Sequence, residues 1–416
     1  MQTKFSATNQ AVLEDFLNLG LPCDSNAVSE LWSRHYWSLE GARGVFAVTN
    51  QQLEKKVPGN QNFGRSGFLR CWLSNTRLLL IQNANQPREF RYSSPIFCDT
   101  NFVSFCEAFD AERSLGDHKE GFEEAIRFLI PISSAASAFP YLIENAENPN
   151  KDRVRATLRS FAAFKLTSLE SFNSTNKFSH QSESYSSDQI ADGCLTAMED
   201  ESFKVIHQRM KQHFLMARIV LLKCALIVFK RQALTLEKRF FALLEFLHEE
   251  IGRLPQFESL AAYRFFDMDV GTSFFQRIQR NSRSLDRTLT AMSWDLAHWR
   301  SALDMLLMGS NRKEEPAFPL PHFLSFDQPF VELIDGMLLD GIVYKTNPVQ
   351  YMQIPNGSLI QAVSELYSDA CNKFYQTESC ENRAVRACVG NQFTDQLVSL
   401  ESALALELVS EQSRNT

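Results

Sequence analysis

The chain has 416 residues, of which 44% are hydrophobic, 22% charged and 12% aromatic, and its formal net charge is −7. This composition supplies enough apolar surface for a sizeable core in two or three domains and excludes global disorder, while 16 Gly and 14 Pro exclude a collagen-like or low-complexity chain. Because the net charge is negative, contact with nucleic acid requires a local basic patch.

The first 92 residues are interpreted as a helical extension. Short helices are predicted on both sides of residue 20, and the segment PGNQNFGRSG at 58–67 interrupts them. Residues 67–82 are apolar without a decisive period, so the sequence leaves helix and strand open there. The start of the chain lacks the charged-then-apolar order of a signal peptide, and no such leader is expected.

Residues 95–98 (Pro-Ile-Phe-Cys) predict a buried parallel strand. The run is short and apolar, and it stops at a polar Asp-Thr-Asn turn at 99–101. A helix start at 139–140 is favoured because Pro suits the first helical position. The helices expected to follow the strand lie over 102–109, over 121–129 and from 139 onward.

The segment 167–189 is rich in Ser and poor in aliphatic residues, which predicts a loop or flexible linker. Long amphipathic helices are predicted from 201 to 309. The most apolar stretch, 214–229, contains Arg218 and Lys223, each of which costs about 2.5–3.5 kcal/mol at a bilayer centre. We therefore interpret this stretch as a buried helix, and no membrane contact is expected.

The last third of the chain contains two more strand candidates. HFLSF at 322–326 predicts a strand that ends at Asp327, GIVY at 341–344 predicts another, and a helix is expected over 331–339. The tail from 359 onward is predicted to be helical and acidic. Nine widely spaced cysteines without a CxxC pair favour free thiols in a reducing cytoplasm over a disulfide framework or a zinc site.

Acidic residues stand at the ends of these elements. Asp99 and Asp327 each follow a predicted parallel strand, and the carboxyl ends of such strands share one edge of the sheet. Asp295 shares a helix face with Trp299 and Leu303, and a carboxylate on an apolar inward face is costly unless it is paired or metal-bound. The sequence therefore predicts a shared acidic crevice.

Four short motifs resemble those of PIN-domain nucleases. IFCDTNFVSF around Asp99 resembles the opening strand and Asp-Thr-Asn motif of that family, and PYLIEN at Glu144 resembles its second acidic motif. Asp295 with the following LAHWRSAL resembles the third, and LSFDQPFVEL at Asp327 resembles the fourth. GIVYKTNPVQY at 341–351 resembles the closing strand of the domain.

The resemblance covers 93–165 and 289–353. It implies an α/β fold in which a PIN-like parallel sheet is flanked by helices, with the domain formed by segments 93–166 and 289–356. The remaining parts are an N-terminal helical extension (1–92), a Ser-rich linker with a large all-α insertion (167–288), and an acidic helical tail (357–416).

The resemblance also implies a function, that of an endoribonuclease that hydrolyses RNA phosphodiester bonds with Mg²⁺ or Mn²⁺. Hard divalent cations prefer carboxylate oxygens, and a bound cation makes a hydroxide nucleophile from its water. By the resemblance, Thr100 and Asn101 orient the first acid or contact phosphate. The implied catalytic metal ligands are Asp99, Glu144, Asp295 and Asp327.

Two basic segments are candidates for RNA binding. Residues 204–239 carry nine Lys or Arg against one acid, a local reversal of the net charge that favours a polyanion. A second group of basic residues can share one side of a continuous helix, and it could lead a phosphate backbone toward Asp295. This arginine stripe consists of Arg277, Arg280, Arg283 and Arg287. Phe274, Phe275 and Trp294 are stacking candidates. The alternatives are solvated helix faces for the basic residues and a core position for the two Phe.

A second hypothesis from another class is a non-catalytic helical scaffold or partner-binding protein that keeps a degenerate PIN-like domain. A DNA nuclease is a third and differs only in substrate. The resemblance places large single-chain relatives in bacterial stress responses or phage defence. RNA is the expected partner, with DNA less favoured, and a homo-oligomer or an inhibitory partner protein is compatible with this interpretation.

Overall fold

The computed structural model describes residues 23–35, 42–49, 60–73, 77–82, 92–230, 234–267, 273–282, 284–308, 318–346, 349–355, 374, 382–383 and 391–412. It is a mixed α/β structure in which helices flank a small mixed sheet. The strands are β1 (Ala42–Ala47), β2 (Gln61–Phe63), β3 (Gly67–Cys71), β4 (Leu78–Gln82), β5 (Tyr92–Ser93), β6 (Ile96–Cys98), β7 (Ala136–Ser137), β8 (Phe318–Pro319), β9 (His322–Ser325), β10 (Leu339–Thr346) and β11 (Val349–Pro355).

The α-helices of the described residues are α1 (Ser25–Arg34), α2 (Thr100–Asp110), α3 (Lys119–Leu129), α4 (Phe139–Glu144), α5 (Lys151–Leu166), α6 (Leu169–Thr175), α7 (Ser187–Glu199), α8 (Glu201–Lys230), α9 (Leu236–Phe246), α10 (Gln256–Phe266), α11 (Leu285–Met308), α12 (Gln328–Asp335) and α13 (Asn391–Gln412). Short 3₁₀ turns occupy Gly116–His118, Ile130–Ala135 and Phe275–Arg277, and a π turn occupies Leu247–Ile251.

The central sheet has the strand order β2-β3-β9-β6-β7. Strands β7, β6 and β9 run parallel, whereas β3 pairs antiparallel with β9, and β2 pairs antiparallel with β3. The strands predicted at 95–98 and 322–326 are thereby confirmed, and they are neighbours in the sheet. Their carboxyl ends lie at the same edge, as parallel pairing requires.

The two faces of the central sheet contact different sets of helices. Ile96 and Cys98 of β6 pack with α2, α3 and α5, whereas Phe97 between them packs with the helices from α8 to α11. Side chains alternate between the faces of a strand, so one short strand supplies both layers. The long helices between 201 and 308 therefore share a hydrophobic core with the sheet.

Helix α8 is long and apolar enough to cross a membrane by length and composition, but 67% of that window is buried inside the protein. Its charged residue Arg218 is also buried and forms ion pairs with Asp286 of α11 and Glu401 of α13. These contacts place the middle of α8 inside the helical layer.

The expectation of a helical extension over 1–92 is wrong for the described residues. One helix, α1, is present there, while β1 and β4 enter a second, antiparallel sheet of order β11-β10-β1-β4. The segment predicted as the closing strand of the parallel sheet, 341–344, lies in β10 of this second sheet instead. Val343 packs with α1 and β1, Ile342 packs in the core of the long helices, and the paired strand β1 is far away in sequence, so local pattern did not reveal the pairing.

A loop lies over 176–186, but the expectation of a loop or linker over the whole of 167–189 is wrong, because α6 and the start of α7 occupy its two ends. Two of the Ser residues that indicated a linker act as helix caps. Ser168 accepts a hydrogen bond from the Ser171 amide, and Ser186 forms a reciprocal capping box with Gln189. Short capping residues and linker residues have the same composition, and their positions relative to the helices distinguish them.

The tail and the cysteines agree with the sequence predictions where they are described. Helix α13 confirms a helical tail over 391–412 and packs along α8. The described cysteines are free. Burial raises the pKa of the Cys71 thiol to about 11, which makes that thiol unreactive. The free cysteines are Cys23, Cys71, Cys98, Cys106, Cys194 and Cys224.

Candidate active site

Three adjacent parallel strands each lead into an acidic residue. Asp99 follows β6, Asp327 follows β9 two residues after the strand ends, and Glu144 ends α4, the helix that follows β7. Asp295 approaches from α11 in the helical layer, and its carboxyl group interacts electrostatically with the other three. The structure thus brings together the four predicted acids at the carboxyl edge of the sheet.

Asp99 is the most rigidly held of the four. Its Oδ1 accepts a hydrogen bond from the Phe102 amide at 2.6 Å, which caps α2, and its Oδ2 accepts from the Ser325 hydroxyl at 2.8 Å and the Phe326 amide at 3.2 Å. Burial, with a smaller contribution from the nearby Asp327, raises the pKa of Asp99 to about 7 against the lowering effect of these hydrogen bonds. Asp99 therefore links the ends of β6 and β9.

Glu144 is oriented by two donors. Its Oε1 accepts from the Thr100 hydroxyl at 2.6 Å and lies 2.9 Å from Nε2 of His298. His298 is only 3% exposed and stands one turn after Asp295 on α11, so it connects the helical layer to α4. His298 was not among the residues predicted from the sequence, although its position three residues after Asp295 on the same helix was a usable signal. Asn101 is exposed.

Asp295 and Asp327 share one basic neighbour. Arg277 donates from Nη1 to Oδ2 of Asp327 at 2.8 Å, and its Nη2 lies 4.0 Å from Oδ2 of Asp295. Burial, and then Asp327, raise the pKa of Asp295 well above the usual range, and Arg277 lowers it only in part. The pocket therefore carries more negative charge than its own basic residues compensate.

The predicted arginine stripe is not on one helix. Arg277 belongs to a separate 3₁₀ turn, and Arg287 is exposed in the first turn of α11, which begins at Leu285. Arg280 donates to Glu407 of α13 at 2.6 Å and so is held away from the four acids. Arg283 lies outside the described residues. Of the four arginines, the structure therefore places Arg277 at the carboxylates.

Four of the described basic residues of 204–239 have acidic partners, and these are Lys204, Lys211, Arg218 and Lys223. Lys211 pairs with Glu147 at 2.7 Å, Arg218 is buried among carboxylates, and Lys223 lies over the ring of Phe246. Ion pairs of this kind are typical of charged helix faces that are exposed to solvent. This patch consequently carries less unpaired positive charge than its sequence indicates.

The aromatic stacking candidates also have partners within the protein. Phe274 and Phe275 are buried, as the alternative of a core position for these two residues predicted. Trp294 stacks with Phe214 at a centroid distance of 4.3 Å and with His298 at 5.4 Å. The contacts of Trp294 with Phe214 and His298 hold its ring in place next to Asp295 on α11.

The donor chemistry of the pocket fits a hard divalent cation. In the part of the chain that the structure describes, no group of three or more His, Cys, Asp or Glu side chains is arranged to hold a metal ion. Arg277 donates to Oδ2 of Asp327, and three donors occupy the oxygens of Asp99. Carboxylate oxygens are nevertheless the ligands that Mg²⁺ and Mn²⁺ prefer, and burial, followed by the charge of Asp327, raises the pKa of Asp295.

Comparisons with known proteins returned no significant match to any family model, to any curated protein or to any solved structure.

Proposed function

We propose that this protein is a divalent-metal-dependent endoribonuclease with a PIN-like domain. The observation that carries the proposal is the convergence of Asp99, Glu144, Asp295 and Asp327 at the carboxyl edge of three parallel strands. Ligands of open α/β sheets collect at this edge. The order of the acids along the chain, and the helices on both faces of the sheet, support the PIN-like interpretation over an unrelated acidic crevice.

The residues that would hold Mg²⁺ or Mn²⁺ are Asp295, Asp327 and Glu144, with Asp99 fixing the edge on which they stand. When bound, the cation supplies a metal-activated water and stabilises charge on the phosphate. The chain's own part is orientation, because Thr100 and His298 hold the Glu144 carboxylate in one position. Such preorganised support is what metal sites require of the residues behind their ligands.

RNA as substrate follows from the resemblance and from the presence of Arg277 beside the acids, since a guanidinium matches the geometry of phosphate. A role in bacterial stress or phage defence, a cytoplasmic location, and a homo-oligomer or inhibitory partner stay predictions of the same resemblance. DNA is the less favoured substrate. Competition between single-stranded RNA and flap DNA in one cleavage assay decides between them.

A cleavage assay with Glu144→Gln tests the proposal. We expect wild-type protein to cleave RNA with Mn²⁺ or Mg²⁺ and to stop in EDTA, and the variant to cleave about 10–100-fold more slowly because a weaker ligand replaces the carboxylate. The matched control is Glu147→Gln, three residues later, where an exposed side chain pairs with Lys211. That control should cleave at the wild-type rate. Cleavage that resists EDTA, or equal loss in both variants, contradicts the proposal.

The alternative is a non-catalytic scaffold, and the ion pair of Arg277 with Asp327 is the observation that favours it. Thermal melting with added Mn²⁺ separates the two functions. A ligand that binds the native state at 100 times its Kd stabilises it by about 2.7 kcal/mol, so a nuclease site should raise the melting temperature by several degrees. Ca²⁺-free buffer with EDTA is the reference. An unchanged melting temperature at saturating Mn²⁺ favours the scaffold.

A further inference from the structure

Arg277 lies between two of the four carboxylates and is held in place by several contacts. Besides Nη1 to Asp327 at 2.8 Å, its Nε donates to the Phe274 carbonyl at 3.3 Å, and its guanidinium lies 4.7 Å from the centre of the Phe274 ring. Phe274 itself is fully buried and packs on Phe330 of α12 at 5.6 Å. The backbone beside Arg277 is thus anchored in the core.

The guanidinium is nevertheless an imperfect partner for this pocket. Its Nη2 is buried and makes no hydrogen bond to the described residues, and its 4.0 Å separation from Asp295 is too long for one. A buried donor without an acceptor costs about 1–3 kcal/mol. Arginine binds a carboxylate most strongly as a bidentate pair with two parallel hydrogen bonds. The contacts of Arg277 with Asp295 and Asp327 do not form such a pair. Arg277 therefore compensates the charge of the pocket without satisfying its own donors.

We propose that Arg277 is a built-in counter-ion, which occupies the acidic pocket in the metal-free protein and competes with the divalent cation for Asp295 and Asp327. This inference rests on the proposed function and adds a form of regulation to the same site. The Arg277 Nη1 atom occupies Oδ2 of Asp327, and a guanidinium and a divalent cation repel each other at contact distance, so a cation that takes this oxygen competes with Arg277. Metal binding then requires that the Arg277 side chain leave Asp327.

The exchange needs little movement of the chain. The Arg277 side chain is 33% exposed, whereas Phe274, three residues earlier in the chain, is buried, so we expect rotation of the side chain alone to remove the charge from the pocket. The apparent free energy of metal binding is then less favourable by the free energy that is needed to displace Arg277. Removal of the guanidinium should consequently strengthen metal binding, the opposite of what removal of a supporting residue does.

Titration calorimetry with Mn²⁺ alone tests the competition in the full-length protein. We expect Arg277→Gln to bind Mn²⁺ about tenfold more tightly than wild type, within the range of coupling free energies found between sites. The metal-free form of this variant should melt at a lower temperature than wild type, and Mn²⁺ should raise its melting temperature by a larger amount. Arg287→Gln, which removes the same charge from an exposed position, should bind Mn²⁺ like wild type.

Arg277→Lys keeps the charge on a side chain without the planar fork, and we expect an affinity between those of wild type and Arg277→Gln. This variant also tests the proposal if the Gln variant does not fold. Measurable but equal Mn²⁺ affinity in wild type and the Arg277 variants overturns the counter-ion role and leaves the nuclease proposal intact. Absence of Mn²⁺ binding to every variant overturns the proposed function and this inference together.

Discussion

Asp295→Asn is expected to lower RNA cleavage by about 1,000-fold and to raise the melting temperature of the metal-free protein. A bound cation stabilises the transition state by several kcal/mol, and each step of about 1.4 kcal/mol changes the rate about tenfold. Loss of the cation should therefore lower the rate by about 1,000-fold. The amide is a poor ligand and carries no charge. Loss of activity with a gain in stability is typical of residues that are kept for function at a cost to the fold.

The gain in stability follows from the electrostatics of the pocket. Burial and the charges of Asp327, Glu144 and Asp99 raise the pKa of Asp295 well above its value in the unfolded chain. A carboxyl group with a raised pKa contributes stability below its unfolded pKa, and this contribution is lost as the pH rises through the folded pKa. As the pH rises above the unfolded pKa of Asp295, this carboxyl group therefore destabilises the folded state relative to the unfolded chain, and Asn removes that cost.

The same reasoning predicts the pH dependence. Metal-free wild type should lose stability as the pH rises from about 4 through about 7, the raised pKa of Asp99, and through the raised pKa of Asp295. Asp295→Asn should lose less over this interval. Melting curves in EDTA over a pH series measure both effects, and cleavage with Mn²⁺ measures activity.

The matched control is Asp286→Asn on the same helix. Its side chain is 83% exposed and pairs with Arg218, so this change should leave cleavage unaltered and should not stabilise the protein. Wild-type cleavage by Asp295→Asn contradicts the assignment of this residue to the metal. A melting temperature several degrees below wild type in EDTA contradicts the electrostatic account.

Trp299→Ala is expected to have the largest effect on stability. Trp299 is fully buried one turn after Asp295, stacks on Trp72 at 4.4 Å between ring centroids, and meets the edge of Phe323 of β9. Truncation of such a residue to Ala costs about 3–5 kcal/mol because a cavity remains. At about 2–4 °C per kcal/mol, the melting temperature should fall by about 10 °C.

Trp299→Phe is the matched control. It keeps an aromatic ring against Trp72, and the indole nitrogen that it removes makes no hydrogen bond to the described residues. We therefore expect a much smaller loss than for Ala. Urea and thermal unfolding followed by circular dichroism measure the difference. Equal losses in the two variants would show that the stack with Trp72 does not hold α11 against the sheet.

Local signals were sufficient for the elements that carry the acids. The strand at 96–98 and the strand at 322–325 were predicted because each is a short apolar run that stops at an acid, and each of these acids caps the helix that follows. Parallel neighbours end at one edge, so the approach of Asp99 to Asp327 also followed from the pattern. The interpretation of 167–189 as a linker failed at its two ends, where Ser168 and Ser186 cap helices, because capping serines and linker serines have the same composition.

Non-local partners were beyond the sequence. The strand at 341–344 was recognised, but its sheet was not, because β10 pairs with β1 about 300 positions earlier in the chain. The position of the Arg277 guanidinium beside Asp327 depended in the same way on the packing of its turn against α12. The contact of His298 with Glu144 joins residues 154 positions apart.

The amino-acid sequence by itself determined the strands and helices that carry Asp99 and Asp327, and where along the chain the four acids stand, since caps, turns and periodicity act over a few neighbouring residues. The tertiary structure alone decided which sheet each strand joins and which charged group faces Asp295 and Asp327. Those outcomes depend on burial and on distances between side chains far apart in the chain, which local pattern does not encode.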